Sequence, residues 1–222
     1  ITSVATDPTD ANIIYIGTGE KRGMGLKGFG VWKTSDGGST WNQLSSSTGF
    51  KWIDTIIVRD EGGVGAVYVG GGRSLSEGEY TGINGLQKST DGGATWTEVL
   101  GEIAEGSSHH VTDLEIDSNN RLIVGTRTNT FGDGGGQIFY SDDGAVFSPY
   151  TIGALGQFDR TFVDVSPSDP NVLYAMFENA STGYITWLGK SEDGGLTWTQ
   201  KSIGLDENGN CLLYTSPSPR DY

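Results

Sequence analysis

Short apolar runs recur along the chain, each bounded by clusters of Gly, Asp, Asn, Ser and Pro. Residues 161–165, 172–177, 185–190 and 197–201 are such runs and read as β-strands. Ser166-Pro167-Ser168-Asp169-Pro170-Asn171 separates the first two and reads as a turn. The same order appears earlier. Val4 precedes the turn 7–12 and the run 13–17, and the run 111–116 precedes the turn 117–120 and the run 122–125. No stretch holds apolar residues at a 3.6-residue period, which predicts almost no helix.

The strands belong to a repeat. Thr34-Ser35-Asp36-Gly37-Gly38-Ser39-Thr40-Trp41 aligns with Ser89-Thr90-Asp91-Gly92-Gly93-Ala94-Thr95-Trp96 and with Ser191-Glu192-Asp193-Gly194-Gly195-Leu196-Thr197-Trp198. Ser141-Asp142-Asp143-Gly144-Ala145-Val146-Phe147 is a fourth copy, one residue shorter. The aspartates fall 55, 52 and 50 residues apart. About 50 residues suits one four-stranded antiparallel blade, so the expected fold is all-β, four blades of a β-propeller. Blades are expected near 1–48, 49–103, 104–153 and 154–205. In each turn the carboxylate can accept from N–H groups one or two residues on, and the glycines allow positive φ. The turn aromatic then starts the fourth strand, with its ring expected in the core between blades. Asp36, Trp41, Asp91, Trp96, Asp143, Phe147, Asp193 and Trp198 are therefore read as structural, because a catalytic acid is not needed four times.

These segments resemble the boxes of the BNR/Asp-box superfamily, which includes sialidases, xyloglucanases, sortilin-type receptors and a photosystem II assembly factor. The phrases at 12–20 and 30–38 look like large secreted repeat proteins of Bacteroidetes-type bacteria. The resemblance covers nearly all of residues 1–203. It implies a fold more than a function, because this superfamily hosts enzymes, receptors and scaffolds. Two enzyme signatures are not matched. No Arg-Ile-Pro segment of the sialidase type occurs. Glu20-Lys21-Arg22-Gly23 stands where xyloglucanase-like enzymes carry Asp-Ile-Gly-Gly.

Composition narrows the partners. The chain of 222 residues has 36 Gly and 6 Trp, which fits many tight turns around a real core. Its net charge of −14 repels phosphate backbones and argues against nucleic acid. No apolar run approaches the roughly 20 residues of a membrane span. The single Cys, Cys211, opens a tail at 211–222 that reads as the translation of a transposase sequencing adapter rather than native protein. Further blades are expected in a longer parent chain.

The resemblance also implies which face is functional. In propellers of this kind the box joins the third and fourth strands on one face, and the other loops gather on the opposite face. Those loops are expected near 20–30, 71–85, 127–136 and 179–184, and near 45–52, 101–110 and 151–160. Trp52, Arg73, Tyr80, Asp113, Phe158 and Arg160 are the expected ligand-binding residues there, since aromatic rings beside polar groups suit sugars or peptides. No catalytic residue is assigned. Asp54, Asp113 and Asp164 lie near the starts of three successive first strands and are the candidates if a glycosidic bond is cut there. His109-His110 is the only His pair, but neighbours in a strand point to opposite faces and chelate one metal poorly. Residues 206–210 resemble the start of a calcium loop and read as a turn. No metal and no cofactor are expected. The resulting expectation is a non-catalytic extracellular or cell-surface bacterial propeller that binds a glycan or a protein. The alternative is a glycoside hydrolase using acidic residues at the channel mouth.

Overall fold

Alternating apolar and polar residues become antiparallel strands in a computed structural model of the chain. The structure describes residues 1–19, 27–76, 79–83, 85–152 and 158–201. The segment 20–23, the acidic turn at 206–210 and the tail 211–222 lie outside the described residues. Blade 1 is a sheet of β1 (Ser3–Asp7), β2 (Asp10–Gly17), β3 (Val31–Thr34) and β4 (Asn42–Gln43). Next come β5 (Ile53–Asp60) and β6 (Gly65–Gly71), a hairpin of β7 (Arg73–Ser76) and β8 (Glu79–Gly82), then β9 (Leu86–Ser89) and β10 (Thr97–Glu98). In blade 2 the order is β5-β6-β9-β10, so the hairpin is an insertion between its second and third strands.

A small hairpin, β11 (Glu102–Ala104) and β12 (Ser107–Ser108), leads into blade 3. Blade 3 is β13 (His110–Ile116), β14 (Leu122–Arg127), β15 (Ile138–Ser141) and β16 (Ser148–Pro149). Blade 4 is β17 (Phe158–Val165), β18 (Leu173–Asn179), β19 (Ile185–Ser191) and β20 (Thr199–Lys201). One backbone pairing, Arg127 with Arg160, ties blades 3 and 4. The only helical turn among the described residues is the 3-10 segment Ser45–Ser47.

The first strands of successive blades pack against one another, β1 on β5, β5 on β13 and β13 on β17. They form the inner edge, and β4, β10, β16 and β20 form the outer edge. Three apolar clusters fill the three junctions. Tyr15 and Val31 meet Ile56, Val58 and Val67 between blades 1 and 2. Tyr68 and Leu86 meet Leu114, Leu122 and Val124 between blades 2 and 3. Ile123 and Ile138 meet Val163, Leu173 and Phe177 between blades 3 and 4. Alternate residues of each middle strand therefore face opposite neighbours, which is why these strands are apolar on both faces.

Three of the four repeated turns close further along the chain than the sequence reading expected, while Asp143 accepts from an N–H two residues on as expected. Asp36 Oδ1 accepts from the N–H of Thr40, four residues on (2.9 Å), and Oδ2 accepts from the Thr40 hydroxyl (2.6 Å). Asp91 and Asp193 take Thr95 and Thr197 in the same way. Asp143, in the short copy, takes the N–H groups of Ala145 and Val146 instead (both 2.8 Å). The hydroxyl that opens each turn works twice. Ser89 Oγ, for example, donates to Asp91 (2.8 Å) and accepts from Gly93 N (2.8 Å). Gly92 and Gly93 have φ of 73° and 91°, a region where a side chain is strained. The turn aromatics are a correction: Trp41, Trp96, Phe147 and Trp198 are half-buried at the margins, not enclosed between blades. The core positions belong to strand residues such as Tyr15 and Tyr68, which leaves the turn rings only the rim of each junction.

Candidate functional site

Three first strands carry a β-bulge near their starts, between Ile53 and Thr55, Val111 and Asp113, and Phe158 and Arg160. The bulges sit at the loop end of the inner edge and re-aim the side chains there. They also place the three candidate aspartates at different levels. Asp54 is the extra residue of its bulge. Asp113 pairs with Gly125, and Phe162, not Asp164, holds the matching position opposite Met176 in blade 4. Asp164 corresponds to Glu115, two residues further along β13.

Each carboxylate therefore has its own surroundings. Asp54 Oδ2 lies 2.6 Å from His110 Nε2, joining blades 2 and 3. His110 is 2 % exposed, and its ring packs on Gly72, where a Cβ would come within 2.5 Å. Asp113 Oδ2 accepts from Val163 N (2.9 Å), just as Ser3 Oγ accepts from Ile56 N (2.9 Å). Both contacts bind one inner strand to the next. Burial raises the Asp113 carboxyl above the usual carboxylate range. Glu115 shares that face, and burial, followed by the charges of Asp113 and Asp164, pushes it up to about 7. Asp164 itself is exposed. Glu115 was not singled out in the sequence; strand alternation from Asp113 is the signal that could have found it.

The expected ligand-binding residues separate into different settings. Trp52 is 3 % exposed and faces inward beneath the β7–β8 hairpin, so it is no open platform. Arg73 opens that hairpin and is half-buried. Tyr80 pairs through its backbone with Leu75, and its side chain lies outside the description. The Arg160 guanidinium covers the Phe162 ring at 4.4 Å, and its charge partly offsets the burial that raises Asp113. Phe158 lines a cleft of about 430 Å³ on the loop face between blades 3 and 4. Thr128, four glycines at 132 and 134–136, Gln137 and Ala180 complete its described wall. Gly134 has φ 86°, and a Cβ on Gly136 would stand 3.0 Å from Phe158 Cβ, so the loop's backbone lies close against Phe158. Of the sequence-based candidates, only Phe158 lies on this cleft. Backbone groups, a hydroxyl, a carboxamide and one aromatic ring, with no charged side chain among the described lining residues, suit an uncharged polyhydroxylated ligand.

Sheets of one shared strand order, packed face to face and closed by repeated Asp-centred turns, give this chain the fold of four blades of a β-propeller. No family model matches it. It is similar to the xyloglucanase Xgh74A of Acetivibrio thermocellus, 28 % identical over 88 % of this chain and 24 % of that protein. A xyloglucanase of Paenibacillus sp. is 26 % identical over 89 % of this chain and 20 % of its own length. The crystal structure of an ancestral GH74 enzyme superposes with a TM-score of 0.65 at 22 % identity, covering 93 % of this chain and 24 % of that one. The chain spans about a quarter of the length of these relatives. No helix among the described residues is long and apolar enough to cross a membrane.

Proposed function

We propose that this chain is four blades of a longer, extracellular glycoside hydrolase of xyloglucanase type, and that its loop face holds part of a glucan chain. The observation that carries this reading is the similarity to two xyloglucanases along nearly nine-tenths of the chain. It favours the enzyme over the non-catalytic scaffold that the sequence suggested first. The cleft beside Phe158 supports the ligand class, since a sugar ring stacks on an aromatic face while its hydroxyls meet backbone groups. A polysaccharide is too large to be taken up whole, so this reading puts the protein outside the cell.

A second reading has its own observation. Asp54 and Asp113 are engaged within the protein, by His110 and by Val163 N. A propeller that binds a glycan without cutting it needs no freer carboxylate in these blades. Affinity electrophoresis of the longer protein in gels containing xyloglucan, with a reducing-end assay beside it, separates the two. Retarded migration with release of reducing ends is expected. Phe158→Ala is expected to weaken retardation about tenfold, the loss of one stacking contact. Retardation without release selects the second reading, and unchanged migration in xyloglucan overturns both.

A further inference from the structure

Five Asp–Gly steps occur in the chain, at 36–37, 91–92, 133–134, 143–144 and 193–194. At such a step the backbone nitrogen after the aspartate can attack the side-chain carboxyl carbon, and glycine, with no Cβ, leaves the approach open. Four of the five are the box turns, and the fold closes them against this reaction. Their carboxylate oxygens are taken by N–H and hydroxyl groups further along the turn. In three of them the attacking N–H is committed as well. Gly37 N donates to Asn12 O (3.0 Å), Gly194 N to Asn171 O (2.9 Å) and Gly144 N to Ser141 Oγ (2.9 Å). The donors also hold all four carboxyls below the usual carboxylate range, so the neutral acid that the reaction consumes is scarce there.

The fifth step lies in the loop that walls the cleft, and its surroundings differ. Upstream the loop is pinned through Asn129, whose Oδ1 accepts from Phe131 N (2.8 Å) and Asp133 N (3.0 Å) and whose Nδ2 donates to Ser107 Oγ (2.8 Å) and Ser108 O (3.0 Å). Downstream it is pinned again where Gly136 N donates to Phe158 O (2.9 Å). Between these anchors, among the described residues, Gly134 N and Gly135 N meet no acceptor. The described contact of the Asp133 carboxyl is the Ser107 hydroxyl, which donates to Oδ2 (2.6 Å). A hydroxyl donating from that side draws electrons from the carboxyl carbon and leaves its other side open. Asp133 and Gly134 are half-buried, within reach of water.

We propose that Asp133–Gly134 is a site of spontaneous isomerisation, a modification that remodels the cleft wall. Gly134 N bonds to Asp133 Cγ, the amide hydrogen and the carboxyl OH leave as water, and a cyclic imide closes. A second water reopens the ring at the backbone carbonyl carbon, so that the chain now runs through the side chain as isoaspartate. The mass is unchanged, but one methylene has entered the main chain directly before Gly134, Gly135 and Gly136, which line the cleft. That wall shifts against Phe158, and the hold on a glucan weakens as the protein ages. This consequence rests on the function proposed above; the chemistry does not.

The longer protein is to be incubated at pH 5, folded and in urea, then digested and mapped by electron-transfer mass spectrometry, which separates aspartate from isoaspartate. In the folded protein isoaspartate at 133 is expected to accumulate at least about tenfold faster than at 36, 91, 143 or 193, given how rarely the box carboxyls are protonated at that pH. In urea all five steps are expected to react at comparable rates. Asp133→Glu, whose longer side chain closes the ring poorly, is expected to yield no product at 133. Absence of product at 133 in the folded protein, over a time that yields it in urea, overturns the proposal. Box positions that keep pace with 133 overturn it too. Affinity gels of fresh and aged protein read the consequence: retardation by xyloglucan is expected to fall in step with conversion and to persist in Asp133→Glu. Retardation that outlasts full conversion overturns the remodelling of the wall. Fresh protein that is not retarded counts against the glycan reading alone, because the mass spectra decide the modification without polysaccharide.

Discussion

Turn hydroxyls and amides act on the box carboxylates as fixed donors to the ionised form. Led by the Thr40 hydroxyl, they lower Asp36 to about 2; led by the Val146 N–H, they lower Asp143 to about 2. Asp91 and Asp193 are lowered for the same reason, with the Thr95 and Thr197 hydroxyls foremost. Glu115 is opposite in sign: it keeps its proton to about 7, above its ordinary 4.5. Linkage sets the direction of each effect. The boxes contribute stability that is present above the unfolded pKa near 4 and is lost as pH falls towards 2. Between pH 4.5 and 7 the unfolded chain has released the Glu115 proton while the native chain retains it, so stability falls as pH rises. Replacing Glu115 by Gln removes the second effect. Glu115→Gln is expected to stabilise at pH 8 by on the order of 1 kcal/mol, after discounting for solvent at a half-exposed group, and to change little at pH 4. Urea unfolding at the two pH values checks this, and equal shifts at both would count against it.

At the scale of strands and turns, alternation and turn residues made the blade order legible, because a strand buried on both faces needs apolar residues and a tight turn needs Gly or Asp. Register was not legible. A bulge adds one residue without a sequence signature, so Asp113 and Asp164 looked equivalent while the pairing aligns Asp113 with Phe162. Burial of the turn aromatics was overread for a similar reason: a Trp that begins a strand at the rim reaches only the border of the core. The rims also differ. Trp96 packs against the cluster between blades 1 and 2, edge-on to Phe50 at 5.4 Å, and its Nε1 donates to Ser46 Oγ (3.1 Å). Trp198 borders the cluster between blades 3 and 4. Trp41 belongs to none of the three clusters, and its Nε1 donates to its own turn at Gly38 O (3.1 Å). Trp96→Ala and Trp198→Ala are expected to lose about 2–3 kcal/mol, the low end for a large aromatic because both are half-exposed. Trp41→Ala is expected to lose less than about 1 kcal/mol. Denaturant midpoints of the three variants test the ranking, which fails if Trp41→Ala is as costly as Trp96→Ala.

Across the whole molecule, the contacts at the candidate site come from residues far apart in sequence. Asp54 and His110 meet because β5 packs on β13, and no local pattern marks that pair. Phe158 was legible as a loop aromatic, but the glycine-rich wall opposite it becomes a cleft only once blades 3 and 4 are side by side. The same stacking sets how stability is distributed. Blades 2 and 3 each contribute to two apolar clusters, whereas blades 1 and 4 contribute to one. In a repeat array each unit draws stability from its neighbours, so end units open at lower free energy than inner ones. The second strands β2, β6, β14 and β18 are all hydrogen-bonded on both sides, so comparing them isolates the packing of the faces. In native-state hydrogen exchange of the 222-residue chain, Tyr68 in β6 and Val124 in β14 are expected to exchange more slowly than Tyr15 in β2 and Ala175 in β18. The difference is expected to be about tenfold or more if end-blade opening lies at least 1.4 kcal/mol below global unfolding. Indistinguishable rates in all four strands would mean that the four blades unfold as one cooperative unit, and that the junctions, not the individual blades, carry the stability.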